Sequence, residues 1–177
     1  MVCFFLLSMA ESKAQVKKMS SKDMTEVSDA VLYGKCTGKK CEWNENRTAI
    51  YTYVTIVPEG YIKGNLGSEV VVAVPGGRVD DILVEVSETP IFLEDEEVVA
   101  FICKGKKGSN LITGGFQGKM KIEKDPVTGK RSVIEQDFDE ELVGEEDVAV
   151  TQDSEKANRN VKVALEDYVT KIKGYIK

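Results

Sequence analysis

Asp137, Asp139, Glu140 and Glu141 are the residues whose type and spacing come nearest to a reactive or metal-binding cluster. Hard divalent cations want several oxygen ligands, and clustered carboxylates supply them. These four sit in a longer acidic stretch: residues 132–155 hold ten Asp and Glu and no Lys or Arg. No D-x-D-x-D-G loop occurs there, and Phe138, Leu142 and Val143 interrupt the acids. The composition reads first as a solvated tether kept extended by self-repulsion, and second as a weak cation site.

Other chemistries are excluded outright. The chain has no histidine among its 177 residues, so Ser-His-Asp and Cys-His catalysis and His-ligated metal or haem are absent. The segment Gly114-Gly115-Phe116-Gln117-Gly118-Lys119 invites comparison with a phosphate loop but lacks its spacing, and Met120 stands where a metal-binding hydroxyl belongs. Its glycines read as residues that permit positive φ and close strand crossing. Glu94-Asp95-Glu96-Glu97 reads as a solvated loop, because consecutive carboxylates in a turn point different ways. A hydrolase working through Ser and Lys, or through paired carboxylates, remains open without histidine. No cofactor is implied, and the reading leans away from an enzyme.

Four cysteines are present. Cys3 lies in the first apolar run, and Cys103 reads as a buried small hydrophobe. Cys36 and Cys41 bracket Thr37-Gly38-Lys39-Lys40. A hairpin turn over those four residues would let the sulfurs bridge in an oxidising compartment; a strand running straight through would place them on opposite faces. Lys39-Lys40 and Lys104-Lys106-Lys107 read as two basic tips without interleaved aromatics, so no single-strand stacking platform is apparent. Tyr51 and Tyr53 are a same-face aromatic pair, expected to be buried. Asn46-Arg47-Thr48 is a glycosylation sequon.

The elements that position these residues follow from periodicity. Val2–Ala10 (VCFFLLSMA) is too short for a membrane-spanning helix, which needs about 20 apolar residues. It fits the core of a secretory signal over residues 1–14, with Ser12-Lys13-Ala14 as a small-x-small site, although no basic residue precedes it. Ser20–Asp29 reads as a short helix capped by Ser20 with Asp23 in the capping-box position and Met24 and Val27 on one face. Strands are expected over Ala30–Gly34, Thr48–Val57, Glu69–Val74 and Val98–Cys103. The last three are apolar on both faces and should be covered on both sides. Ile82/Val84/Val86 and Met120/Ile122 alternate as half-buried strands do. Pro58-Glu59-Gly60, Pro75-Gly76-Gly77, Gly114-Gly115 and Asp125–Gly129 punctuate the runs. The fold expected is mainly β: a small OB-like or similar, partly open barrel of about six to eight strands over 20–136, with the N-terminal helix included.

After an acidic tether at 137–153, residues 154–177 read as an amphipathic helix, with Val161, Leu165, Tyr168, Ile172 and Ile176 near steps of four. Packing back on the barrel is the first reading of this helix. Docking to a partner groove or an anionic surface through Lys162, Lys171 and Lys173 is the second.

The ordered run Ser28-Asp29-Ala30-Val31-Leu32-Tyr33-Gly34, Trp43, Ile50-Tyr51-Thr52-Tyr53-Val54-Thr55, Lys63-Gly64, Pro75-Gly76-Gly77, Thr89-Pro90-Ile91-Phe92 and Gly114–Lys119 resembles a family of uncharacterised secreted proteins of bacteria and archaea. The resemblance covers about residues 24–134 and implies a signal peptide and a closing helix. It brings no catalytic residues, because that family has no established activity. The chain departs from the pattern at Cys36, at Cys41 and in its acidic tether. The functional expectation is a non-catalytic exported or cell-envelope module that recognises a protein or glycan through its barrel surface. A histidine-independent hydrolase and a nucleic-acid-binding module are the alternatives, the latter disfavoured by the net charge of −6.

Overall fold

A computed structural model describes residues 18–106, 108–137 and 159–176. Helix α1 spans Ser21–Val27, and its start is the expected capping box: Ser20 accepts from the Asp23 backbone while Asp23 reaches back to the Ser20 N–H. Lys63 closes the other end, donating to the carbonyl oxygens of Thr25 and Ser28 at 2.7 Å each. Met24 is buried as expected; Val27 is instead exposed, and Thr25 and Ser28 take the inward positions.

Strands β1 (Ala30–Trp43), β2 (Ile50–Lys63) and β3 (Val70–Pro75) form an antiparallel meander. β6 (Glu97–Lys104) returns antiparallel to β1, and β7 (Asn110–Ile112) fits between β6 and β3. This closes a five-stranded Greek-key barrel of OB-like kind. It is closed rather than partly open, although the β3–β7 seam is a single parallel bridge, Val72 to Asn110. β8 (Lys119–Lys124), β9 (Arg131–Asp137) and β10 (Arg159–Ala164) extend the sheet from β6. With the hairpin of β4 (Gly77–Val79) and β5 (Ile82–Val84) there are ten strands among the described residues, more than expected.

Two cores explain the doubly apolar β6. Val98, Ala100 and Ile102 face the barrel interior with Leu32, Val54, Ile56, Val70 and Val72. Val99 and Phe101 face outward into a second core, roofed by Met24 of α1, Met120 and Ile122 of β8, Val133 of β9, and Leu165, Tyr168 and Ile172. The N-terminal helix therefore flanks the barrel. It does not plug it.

Several expected boundaries are corrected. β1 does not stop at Gly34 but continues to Trp43, and Lys39 and Lys40 lie within it rather than at a tip. β2 runs through Pro58-Glu59-Gly60, which is no turn: the β1–β2 register shifts there, with Tyr33 opposite Gly60 and Gly34 opposite Pro58. Gly34 is required at that crossing, since a Cβ would overlap the Val57 carbonyl. The C-terminal helix α2 is Leu165–Lys173, not the whole of 154–177; residues 159–164 are strand β10, paired with β9 from Arg159–Asp137 to Ala164–Ser132. α2 packs back on the second core through Leu165, Tyr168 and Ile172. The tether at 138–153 and the N-terminal segment 1–14 lie outside the described residues.

Candidate functional site: the uncovered face of the barrel

Inside and outside alternate along β2. Val54 and Ile56 enter the barrel core, and Ile50 is buried. Tyr51, Tyr53, Thr55 and Val57 point the other way. Cross-strand pairing builds the rest of that outer face: Tyr53 stands between Lys40 and Ala73, Tyr51 between Glu42 and Pro75, and Thr55 is opposite Val71. β2 and β3 were expected to be covered on both sides, as β6 is. Among the described residues no second layer covers their outer face: Tyr51 and Tyr53 are half-buried, and Val57 and Val71 are 40% and 41% exposed.

The two tyrosine rings stand 6.5 Å apart, tilted at 37°. Offset, tilted rings present apolar faces together with hydroxyl groups that stay available to a ligand. The nearby charges are already matched. Lys40 pairs with Glu42, and Lys35, opposite Val57, pairs with Asp95 at 2.7 Å. That contact holds the Lys35 ammonium above its ordinary value, chiefly through the Asp95 hydrogen bond. The expectation that Tyr51 and Tyr53 are buried is therefore corrected. The strand pattern could not show it, because an apolar strand face looks the same whether or not another layer covers it.

The other sequence candidates fall elsewhere. Cys36 and Cys41 are free thiols. β1 runs through, yet they do not sit on opposite faces: Thr37 is bulged, so Cys36 faces Ile56 and Cys41 faces Thr52 on one side of the sheet. Their partners are four residues apart, roughly 13 Å along a strand, too far for a disulfide. Cys36 is fully buried in the barrel, and its thiol is pushed up to about 11 by burial and then by the Glu96 carboxylate. Cys41 contacts the Thr52 hydroxyl at 3.3 Å beneath Gly77.

Glu96, read as part of a solvated loop, is nearly buried beside Lys119. Lys162 lies on β10 rather than on the helix and bonds to Glu123; Lys171 bonds both Glu135 oxygens across the α2–β9 contact; Lys173 is exposed. Asp137 ends β9, while Asp139, Glu140 and Glu141 lie outside the described residues. Among the described residues no group of three or more acidic or cysteine side chains is placed to hold a metal ion. Within Gly114–Lys119, Gly115–Gly118 is a 3-10 turn, and Gln117 accepts from the Met19 backbone N–H at 2.9 Å. The loop thus ties the start of α1 to the barrel. No helix of the described residues is long and apolar enough to cross a membrane.

Comparison with protein-family models, with curated proteins and with solved structures gives no match.

Proposed function

We propose that this chain is a non-catalytic binding module that takes a glycan on the outer face of β1, β2 and β3. One observation carries this reading: a tilted tyrosine pair stands in an apolar, uncovered sheet face whose neighbouring charges are internally paired. Sugar rings offer apolar C–H faces for the Tyr51 and Tyr53 rings and hydroxyls for their phenols, and ask for no charge neutralisation. A nucleic-acid strand also stacks on aromatics, but its phosphates need clustered unpaired Lys and Arg. Lys35 and Lys40 are both engaged. Export to the cell surface or beyond belongs to the same proposal and rests on the VCFFLLSMA run and the resemblance to secreted proteins.

The test uses the single tryptophan, Trp43, opposite Ile50 at the end of β1, as a fluorescence reporter. Soluble glucan and chitin oligosaccharides are titrated alongside oligothymidylate. Saccharide binding that ignores salt and weakens about tenfold or more in Tyr51→Ala and Tyr53→Ala supports the reading. Oligothymidylate binding that falls steeply with salt, with no saccharide response, overturns it in favour of the nucleic-acid alternative.

A further inference from the structure

The excursion between β3 and β6 carries a second surface. β4 and β5 are joined by a two-residue turn, with Asp80 at φ 52°. Gly77 packs against Thr52 and Cys41, where a Cβ would collide with both side chains. Its face of the hairpin, shared with Val79, Ile82 and Val84, is thereby turned toward the barrel, and Leu83 takes the opposite face with Arg78.

β5 is left open. Among the described residues only β4 pairs with it, so one edge of Ile82–Val84 has no neighbouring strand. Ile82 and Leu83 are 49% and 51% exposed, and Val86, Ile91 and Leu93 further along the same excursion are exposed as well. Soluble proteins protect such edges with lysine, proline or a covering loop. β5 itself carries no lysine or proline, and the charge of the excursion is mainly negative: residues 77–95 contain six acidic side chains (Asp80, Asp81, Glu85, Glu88, Glu94, Asp95) and one basic, Arg78. All six acids are exposed.

Self-pairing is disfavoured by that charge. Two copies of β5 running antiparallel would set Asp81 of one beside Glu85 of the other. We propose that the open edge of β5 instead takes up an extended basic segment of a partner protein, which adds as a third strand to β4–β5. Its backbone bonds to the free edge of Ile82–Val84, its apolar side chains continue the face of Ile82 and Val84, and its Lys or Arg residues lie on the Leu83 face, where they meet Asp81 and Glu85. The glycan face is a separate surface, built on Tyr51 and Tyr53.

The probe is a dye-labelled, end-capped peptide of about eight residues alternating Lys and Val, followed by fluorescence anisotropy. Comparison peptides alternate Lys with Ser, alternate Glu with Val, or carry N-methyl groups at alternate positions to block one edge. The Lys-Val peptide should bind, and each comparison peptide should bind about tenfold or more weakly. The protein variants Asp81→Lys and Glu85→Lys should weaken binding similarly, with their circular dichroism unchanged because both side chains are exposed. Asp80 is left alone, since its positive φ suits few side chains. Tyr51→Ala should leave peptide binding intact, which separates failure here from failure of the glycan reading. Equal binding of the N-methylated and plain peptides, no binding of the Lys-Val peptide, or indifference to Asp81→Lys and Glu85→Lys overturns the proposal.

Discussion

Lys119 Nζ lies 2.6 Å from a carboxylate oxygen of Glu96, and the two side chains are only 13% and 6% exposed. The contact joins the loop before β6 to the start of β8, with the ammonium also 5.5 Å from the centre of the Phe92 ring. Glu96 accepts a further bond from the Leu93 backbone N–H at 3.0 Å. An ion pair so nearly removed from water is costly to break on one side, because the surviving charge is left desolvated.

Lys119→Met alone should therefore destabilise the fold by about 3 kcal/mol or more. Adding Glu96→Gln should recover most of that loss. Urea unfolding of the two single variants and the double variant checks it. A double variant as unstable as the sum of the two singles would show that the pair carries no coupling.

Acid should loosen the contact between β2 and β9. Arg131 donates to both carboxylate oxygens of Glu59 and to Glu97, and the hydrogen bond from Arg131 holds the Glu59 carboxyl below its ordinary value. A depressed carboxyl contributes stability that is whole above its unfolded value and fades as pH falls through its folded one. Thermal unfolding should show a melting temperature that drops below about pH 4.5, the ordinary range for glutamate. In Glu59→Gln that acid slope should be shallower. The same sign holds for Glu123, lowered by its bonds to Lys162 and then Lys121, which ties β8 to β10.

Cys36 should be silent to thiol reagents. Its sulfur is enclosed in the barrel core and its thiol is pushed up to about 11, so at pH 8 almost no thiolate exists to react. Alkylation with iodoacetamide followed by peptide mass analysis should leave Cys36 unmodified in the native protein and label it in denaturant. Native labelling at Cys36 would mean that the barrel opens on the timescale of the reaction.

Tyr168 anchors α2 and combines two roles that substitution can separate. Its ring is fully buried in the second core, while its hydroxyl donates to the Met120 sulfur at 3.0 Å and sits 3.4 Å from the Ser21 hydroxyl. Tyr168→Phe should cost about 1 kcal/mol for the lost polar contacts. Tyr168→Ala should cost about 3–5 kcal/mol, because the cavity cannot collapse between β8, β9 and α1. Burial also holds the Tyr168 phenol well above the ordinary tyrosine value. The stability this contributes is whole below the ordinary tyrosine value and is lost as pH rises from there through the raised folded value, so an ultraviolet titration should show one tyrosine that ionises only as the fold gives way.

Where a local signal and the tertiary contacts agree, the residues spell out the result. Ser20 and Asp23 define the start of α1 because a capping box is made within four consecutive residues. The run Val98–Cys103 announces a strand covered on both sides, and β6 does lie between two cores. Pro58-Glu59-Gly60 has the composition of a turn, yet β2 passes through it. Gly34 across the sheet leaves room for that irregularity, and no residue within the triplet reveals it. Val161–Ala164 satisfies a step of four toward Leu165 and also a step of two through Val163. The open edge of β9, distant in sequence, resolves it as strand.

The chain's own composition determined a great deal: without histidine whole classes of chemistry are absent, and its short apolar runs broken by glycine and proline make a β-barrel the economical fold. Only the tertiary structure decided which apolar faces are left uncovered. β6 and β2–β3 carry the same kind of two-sided pattern, but among the described residues α1, α2, β8 and β9 roof the outer face of one and leave the half-buried tyrosine face of the other without a second layer. Apolar periodicity records that a side chain can be buried. Which long-range partner arrives to bury it depends on the path of the whole chain.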